Sequence, residues 1–131
     1  MAFSDYYKAL EDPHSRIQID FDGWNADYPS PANFMELFIC PGVGVGTSST
    51  FNRSGYCNRA FDELVARARE AERTDPPAAR SLWQQAGRLL DSAFPFAAAS
   101  SSRFVSFTTA ALGNYQYSPI LGPLFDQMWV H

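Results

Sequence analysis

The chain is poor in the groups that do most protein chemistry. Of its 131 residues two are histidine, His14 and His131, and two are cysteine, Cys40 and Cys57. Neither histidine lies beside a serine or cysteine in a nucleophile setting, so no triad can be assembled. Two cysteines without supporting histidines fall short of a metal-ligand set. Positive charge is also scarce, at 10 Lys plus Arg against 14 Asp plus Glu, a net charge of -4. That balance lacks the electrostatic footprint for nucleic acid or an anionic membrane surface. No apolar run approaches the roughly 20 residues of a membrane helix. Met1 to Asp5 show neither the basic nor the apolar region of an export leader, so an extracytoplasmic protein would need its leader upstream.

What the chain does have is apolar and aromatic. It is 46% hydrophobic, with 11 Phe, 6 Tyr and 3 Trp, a folded composition that suits one domain at most. The carboxylates Asp20, Asp22 and Asp27 stand near aromatic residues, but nothing beside them would raise a pKa for acid catalysis. No enzyme is expected. Gly42, Gly44 and Gly46 lack the Gly-Lys-Ser/Thr ending and the dinucleotide spacing of phosphate loops, and read as a surface loop over 41–56. Cys40 and Cys57 flank that loop, 17 positions apart, which is compatible with a disulfide and with two free thiols.

Local patterns set out the elements. Residues 4–11 read as the end of a helix stopped by Asp12-Pro13, and 33–38 as a short helix after Pro31. Asn58 caps a helix to about Arg73 with Phe61, Leu64, Val65 and Ala68 on one face. Asp75 and Pro76 open a second, whose stripe holds Ala79, Leu82, Trp83, Ala86, Leu89 and Leu90, with Trp83 in the core. Alternation of Ile17, Ile19 and Phe21 with Gln18, Asp20 and Asp22 predicts a strand over 16–24. Strands are also expected at 96–99, 104–107 and within 122–130, with a loop over 113–119. The fold class is α/β, a small mixed sheet packed by a helical hairpin.

At the end of the first expected strand stands the run from Gly23 to Phe34. It offers Trp24, Tyr28, the lone carboxylate Asp27 and the amide Asn33, with Pro29 and Pro31 preventing strand continuation. This reads as one wall of a binding cleft. Asp27 fits a ligand ammonium group, or alternatively caps the Tyr28-Pro29 turn.

The same run resembles a motif of family 5 extracellular solute-binding proteins, the peptide, dipeptide and nickel receptors of ABC importers. The likeness continues in order through Leu37-Phe38-Ile39-Cys40, Tyr56-Cys57-Asn58, Phe61-Asp62-Glu63-Leu64, Asp75-Pro76 with Ala79 to Trp83, Gly113 to Gln116 and Gly122 to Val130. The last stretch looks like actinobacterial members, whereas Phe107 to Gly113 departs from the usual Ser and Arg before Val-Gly. The resemblance implies a C-terminal fragment of a bilobed type II periplasmic-binding-protein fold. Residues 1–108 would be the C-terminal half of the second lobe, and 109–131 a strand returning to the first. It implies that Asp27 takes a ligand's amino terminus, that Gly23 and Asn25 offer backbone to an extended peptide, and that Cys40 and Cys57 are disulfide-bonded. The implied partners are a peptide or other small solute and, through the full-length receptor, an importer permease, with no nucleic acid, cofactor or metal. The location would be periplasmic or on the cell surface. Two other readings stay open: a ligand-sensing domain of a bacterial regulator, and a small stand-alone enzyme or interaction protein.

Overall fold

The structure, a computed structural model, describes residues 3–12, 14–41, 51–101 and 103–131. Its centre is an antiparallel pair of helices, α3 (Arg59–Thr74) and α4 (Pro76–Ala93). Both begin as the sequence predicts. The Asn58 side chain accepts hydrogen bonds from the N–H groups of Ala60 and Phe61, and Asp75 accepts from that of Ala78 with Pro76 in the first turn. These caps satisfy donors that the first helical turn cannot pair. Asp75 also closes α3, its N–H bonding to the Ala71 carbonyl, so one residue serves both helices and makes the connection abrupt.

The facing stripes form the core. Phe61, Val65 and Ala68 of α3 meet Ala79, Leu82, Trp83, Ala86 and Leu90 of α4, all buried. Fully buried alanines at 68 and 86 leave room for Phe61 and Trp83. Trp83 is a core residue, as its helical spacing predicts. Its indole N–H donates to Glu72 (3.0 Å), which also accepts from the Ser30 hydroxyl (2.6 Å). That carboxylate couples the hairpin to the chain ahead of α2 (Ala32–Met35). Helix α2 runs into a single 3₁₀ turn (Glu36–Phe38), and Ala32 and Ile39 complete the core.

Cys40 and Cys57 form a disulfide. The Cys40 N–H also donates to buried Asp62 of α3 (3.2 Å), and Asn52 donates to the carbonyls of Ile39 and Tyr56 (2.8 and 2.7 Å). The glycine-rich part of the expected 41–56 loop, 42–50, lies outside the described residues.

The first helix, α1 (Phe3–Glu11), matches the expected one. The expected strand over 16–24 does not form. Among the described residues this segment has no ladder partner, and its apolar residues are open, with Ile19 90% and Phe21 74% exposed. Among the described residues, the hold that another segment takes on its backbone is the Tyr6 hydroxyl, which accepts from the Phe21 N–H (3.0 Å) and donates to the Phe21 carbonyl (2.7 Å). Segments 96–99 and 104–107 are likewise unpaired and exposed, although Phe96 stacks on Phe38 at 4.8 Å. The reason is physical: alternation prepares one face for burial, but a strand exists only where another backbone supplies donors and acceptors.

The C-terminal region holds two small antiparallel ladders where a loop and a single strand were expected. β1 (Leu112–Gly113) pairs with β4 (Trp129–Val130), and within that pair β2 (Tyr117–Ser118) meets β3 (Gly122–Pro123). A 3₁₀ turn (Phe125–Gln127) interrupts the expected strand. Gly113 is demanded by packing, since a Cβ there would lie 2.2 Å from the Trp129 indole nitrogen. The molecule is thus a mixed helix and sheet fold, but its sheets are two short antiparallel pairs. The helical hairpin packs on α2 and the Ile39 segment, so the expected sheet beneath it is replaced by helix and irregular chain.

Candidate functional site

The run from Gly23 to Asn33 folds back on itself around one side chain. Asn33, at the first turn of α2, is 4% exposed. Its carbonyl oxygen accepts from the Trp24 indole N–H (2.8 Å) and from the Asp27 N–H (3.1 Å), while its amide donates to Asp27 Oδ2 (3.2 Å). The carbonyl faces two donors and the amide faces a carboxylate, so each end of the amide meets its complement. Ser30 sets the turn that brings these residues together. Its N–H donates to the Tyr28 carbonyl and its hydroxyl accepts from the Ala32 N–H.

The sequence-predicted site residues are therefore sorted by the structure. Trp24, Asp27 and Asn33 form one hydrogen-bonded unit. Asp27 does not cap the Tyr28-Pro29 turn; its bonded oxygen is held by Asn33 and the residue remains exposed. Trp24 is half-buried, with its ring edge-to-face against Phe51 at 5.2 Å. Asn25 is exposed. Gly23 is also exposed, but its N–H is taken by the Asp22 carboxylate (2.8 Å), so that backbone donor does not face outward for a ligand. Beside it Asp22 pairs with Arg53, whose guanidinium lies 4.3 Å from the centre of the Tyr7 ring.

Tyr28 stands at the rim, 37% exposed. Partial burial first, and then the nearby Glu36 carboxylate, raise its pKa above the usual tyrosine value, because both disfavour a phenolate. The neutral phenol is thus the form the fold favours. Stability drawn from it is complete below the ordinary tyrosine pKa and is lost as pH rises through the raised one. The Tyr7 pKa is raised as well, by desolvation and then by the nearby Asp22 carboxylate, so spectrophotometric titration should show two tyrosines ionising later than an exposed phenol, and Tyr28→Phe should remove one of these two late steps. An unchanged titration curve in the variant would place the shift elsewhere.

Next to this unit, Pro29 and Pro31 line an open cleft of about 600 Å³ completed by Pro76, Trp83, Glu72 and Arg80. A smaller cavity of about 210 Å³ lies between Leu10, Asp20, Arg53 and Pro95. Among the described residues no three His, Cys, Asp or Glu side chains come together as a metal would require, and no helix is long and apolar enough to cross a membrane.

Two contacts that position the site escape sequence reasoning, Phe51 against Trp24 and Glu72 beneath Ser30, because each joins segments far apart in the chain. Only the amphipathic period of α3, which turns Glu72 away from the Arg-rich face, hints at the second. Comparison of the chain with protein-family models, with curated proteins and with solved structures finds no match.

Proposed function

We propose that this chain forms one wall of the ligand cleft in the solute-binding component of an ABC importer, and that Asp27 receives the ammonium group of a peptide. On this reading the chain is a C-terminal part of a bilobed receptor, and Trp24 and Tyr28 border the ligand with their rings. The observation that carries it is the state of Asp27: an exposed carboxylate whose orientation is fixed by a buried amide. A surface aspartate ordinarily spends entropy to meet a cation. Here Asn33 has already restricted the side chain, and the oxygen that does not accept from Asn33 remains available for a charge-assisted bond. Such a bond contributes roughly 1.5–3 kcal/mol. Asn25 is an exposed residue beside it, consistent with sequence-tolerant backbone pairing along an extended ligand. Gly23 does not lend its N–H to the ligand on this reading, because the Asp22 carboxylate already accepts from it.

Calorimetric titration of di- to pentapeptides into the full-length receptor tests the proposal. Asp27→Ala is expected to weaken binding at least tenfold, and N-acetylation of the peptide to produce a loss of similar size in the parent but little further loss in the variant. Equal affinity of the parent and Asp27→Ala proteins would end the assignment.

A further inference from the structure

The cleft beside the Asn33 unit has walls that are set before any ligand arrives. Pro29, Pro31 and Pro76 line it with rings, and Ala79 of α4 lines it with a methyl group. None of these side chains loses rotamer freedom when a ligand covers it, and such preorganisation removes one of the main costs of binding. Trp83 backs the wall from the core, where it is buried. The volume of about 600 Å³ falls in the range of small-molecule sites, and apolar walls with a few placed polar groups are their usual make-up.

The polar groups include two opposite charges that do not meet. Glu72 of α3 is half-buried, and its Oε1 accepts from both the Trp83 indole N–H (3.0 Å) and the Ser30 hydroxyl (2.6 Å). These two donors fix the carboxylate and leave Oε2 without a partner among the described residues. Arg80 lines the same cleft from an exposed position on α4. Among the described residues the ion pairs are Arg53 with Asp22 and Arg69 with Glu36, so Glu72 and Arg80 stay apart although they face one space. The tie to Trp83 and Ser30 explains this, since the carboxylate cannot swing out to the guanidinium without breaking two hydrogen bonds. A bare cation in the cleft would gain at Glu72 and lose at Arg80, and a bare anion the reverse. A ligand that carries both charges complements both groups.

We propose that this cleft is a second ligand site, and that it takes a free amino acid with an aromatic side chain. The ligand's ammonium group donates to Glu72 Oε2, its carboxylate accepts from the Arg80 guanidinium, and its ring lies on the proline rings. Proline and aromatic rings are complementary surfaces, as the docking of proline-rich segments in aromatic grooves shows. Asp27 does not line this cleft, so the inference does not rest on the peptide-binding reading.

Calorimetric titration of the full 131-residue chain with phenylalanine provides the test. Phenethylamine, which lacks the carboxylate, and 3-phenylpropionate, which lacks the ammonium group, serve as half-ligands. Phenylalanine should bind about tenfold more tightly than either, because each half-ligand forfeits one charge-assisted contact and meets a like charge. Glu72→Gln keeps the carbonyl acceptor that Ser30 and Trp83 use but removes the charge, so it should weaken phenylalanine binding about tenfold while tryptophan emission stays that of the parent. Arg80→Gln should weaken phenylalanine and strengthen phenethylamine, a change of opposite sign that a merely structural role would not produce. Absence of phenylalanine binding at millimolar concentration, equal affinity for the three probes, or unchanged phenylalanine affinity in Glu72→Gln would each overturn the proposal. Loss of phenylalanine binding in Asp27→Ala with Glu72→Gln unaffected would place the ligand at Asp27, overturning this site while supporting the peptide reading.

Discussion

Replacing Cys40 and Cys57 together by serine is expected to lower the unfolding free energy by about 3 kcal/mol, the loop-entropy contribution for a closure of this length. The bond spans a sequence separation of 17 and joins the end of the 3₁₀ turn after α2 to the residue before the Asn58 cap of α3. Cys40 is buried beside core residue Ile39, whereas Cys57 is exposed. Loss of the bond therefore frees the outer strand of the loop first and removes the restraint on where α3 begins. Asn52 and Asp62 bridge the same junction by hydrogen bonds, so the serine variant should retain the hairpin and lose cooperativity at this end. Urea unfolding followed by circular dichroism, with and without reductant, separates the contributions. Reduction of the parent should reproduce the double variant, and a midpoint shift close to zero would show that native contacts alone fix the junction.

The parts of this architecture legible in the sequence are those whose causes are local. Asn58, Asp75 and Pro76 satisfy or avoid unpaired N–H groups within a few residues, and the apolar stripes of α3 and α4 follow from helical period alone, so both helices lie where they are expected. The strands were illegible for the opposite reason. Ile17, Ile19 and Phe21 alternate as a half-buried strand does, yet burial and pairing depend on another backbone that residue order does not specify. The short ladders at Leu112–Gly113 and Trp129–Val130 sit where a loop and a longer strand were expected. Their register is fixed by the close approach of the Trp129 ring to Gly113, a contact invisible to periodicity. The candidate site was half legible. Residue types singled out Trp24, Asp27 and Asn33, but as separate surfaces for a ligand; their mutual bonding depends on the Ser30 turn and on the burial of Asn33.

That bonding makes Asn33 the residue on which fold and proposed function meet, and Asn33→Ala is expected to destabilise the chain by about 3 kcal/mol. Three hydrogen bonds are lost, each contributing about 1 kcal/mol net, and the Trp24 indole N–H is left without its acceptor in a half-buried position. Trp24 should then move, giving red-shifted tryptophan emission, while the α3–α4 core persists. Asn33→Asp distinguishes the two ends of the amide. A carboxylate keeps the acceptor that Trp24 and the Asp27 N–H use, but replaces the donor facing Asp27 by a like charge. Its emission should stay close to that of the parent, whereas its peptide affinity should fall as far as that of Asp27→Ala, because Asp27 is turned away or protonated. Lowering the pH should restore part of the lost stability in Asn33→Asp, since protonation of either carboxyl supplies a donor between them and removes the repulsion. If Asn33→Ala and Asn33→Asp were equally red-shifted and equally unstable at every pH, the amide would be holding the turn only by its shape, and the orientation of Asp27 would have to come from elsewhere.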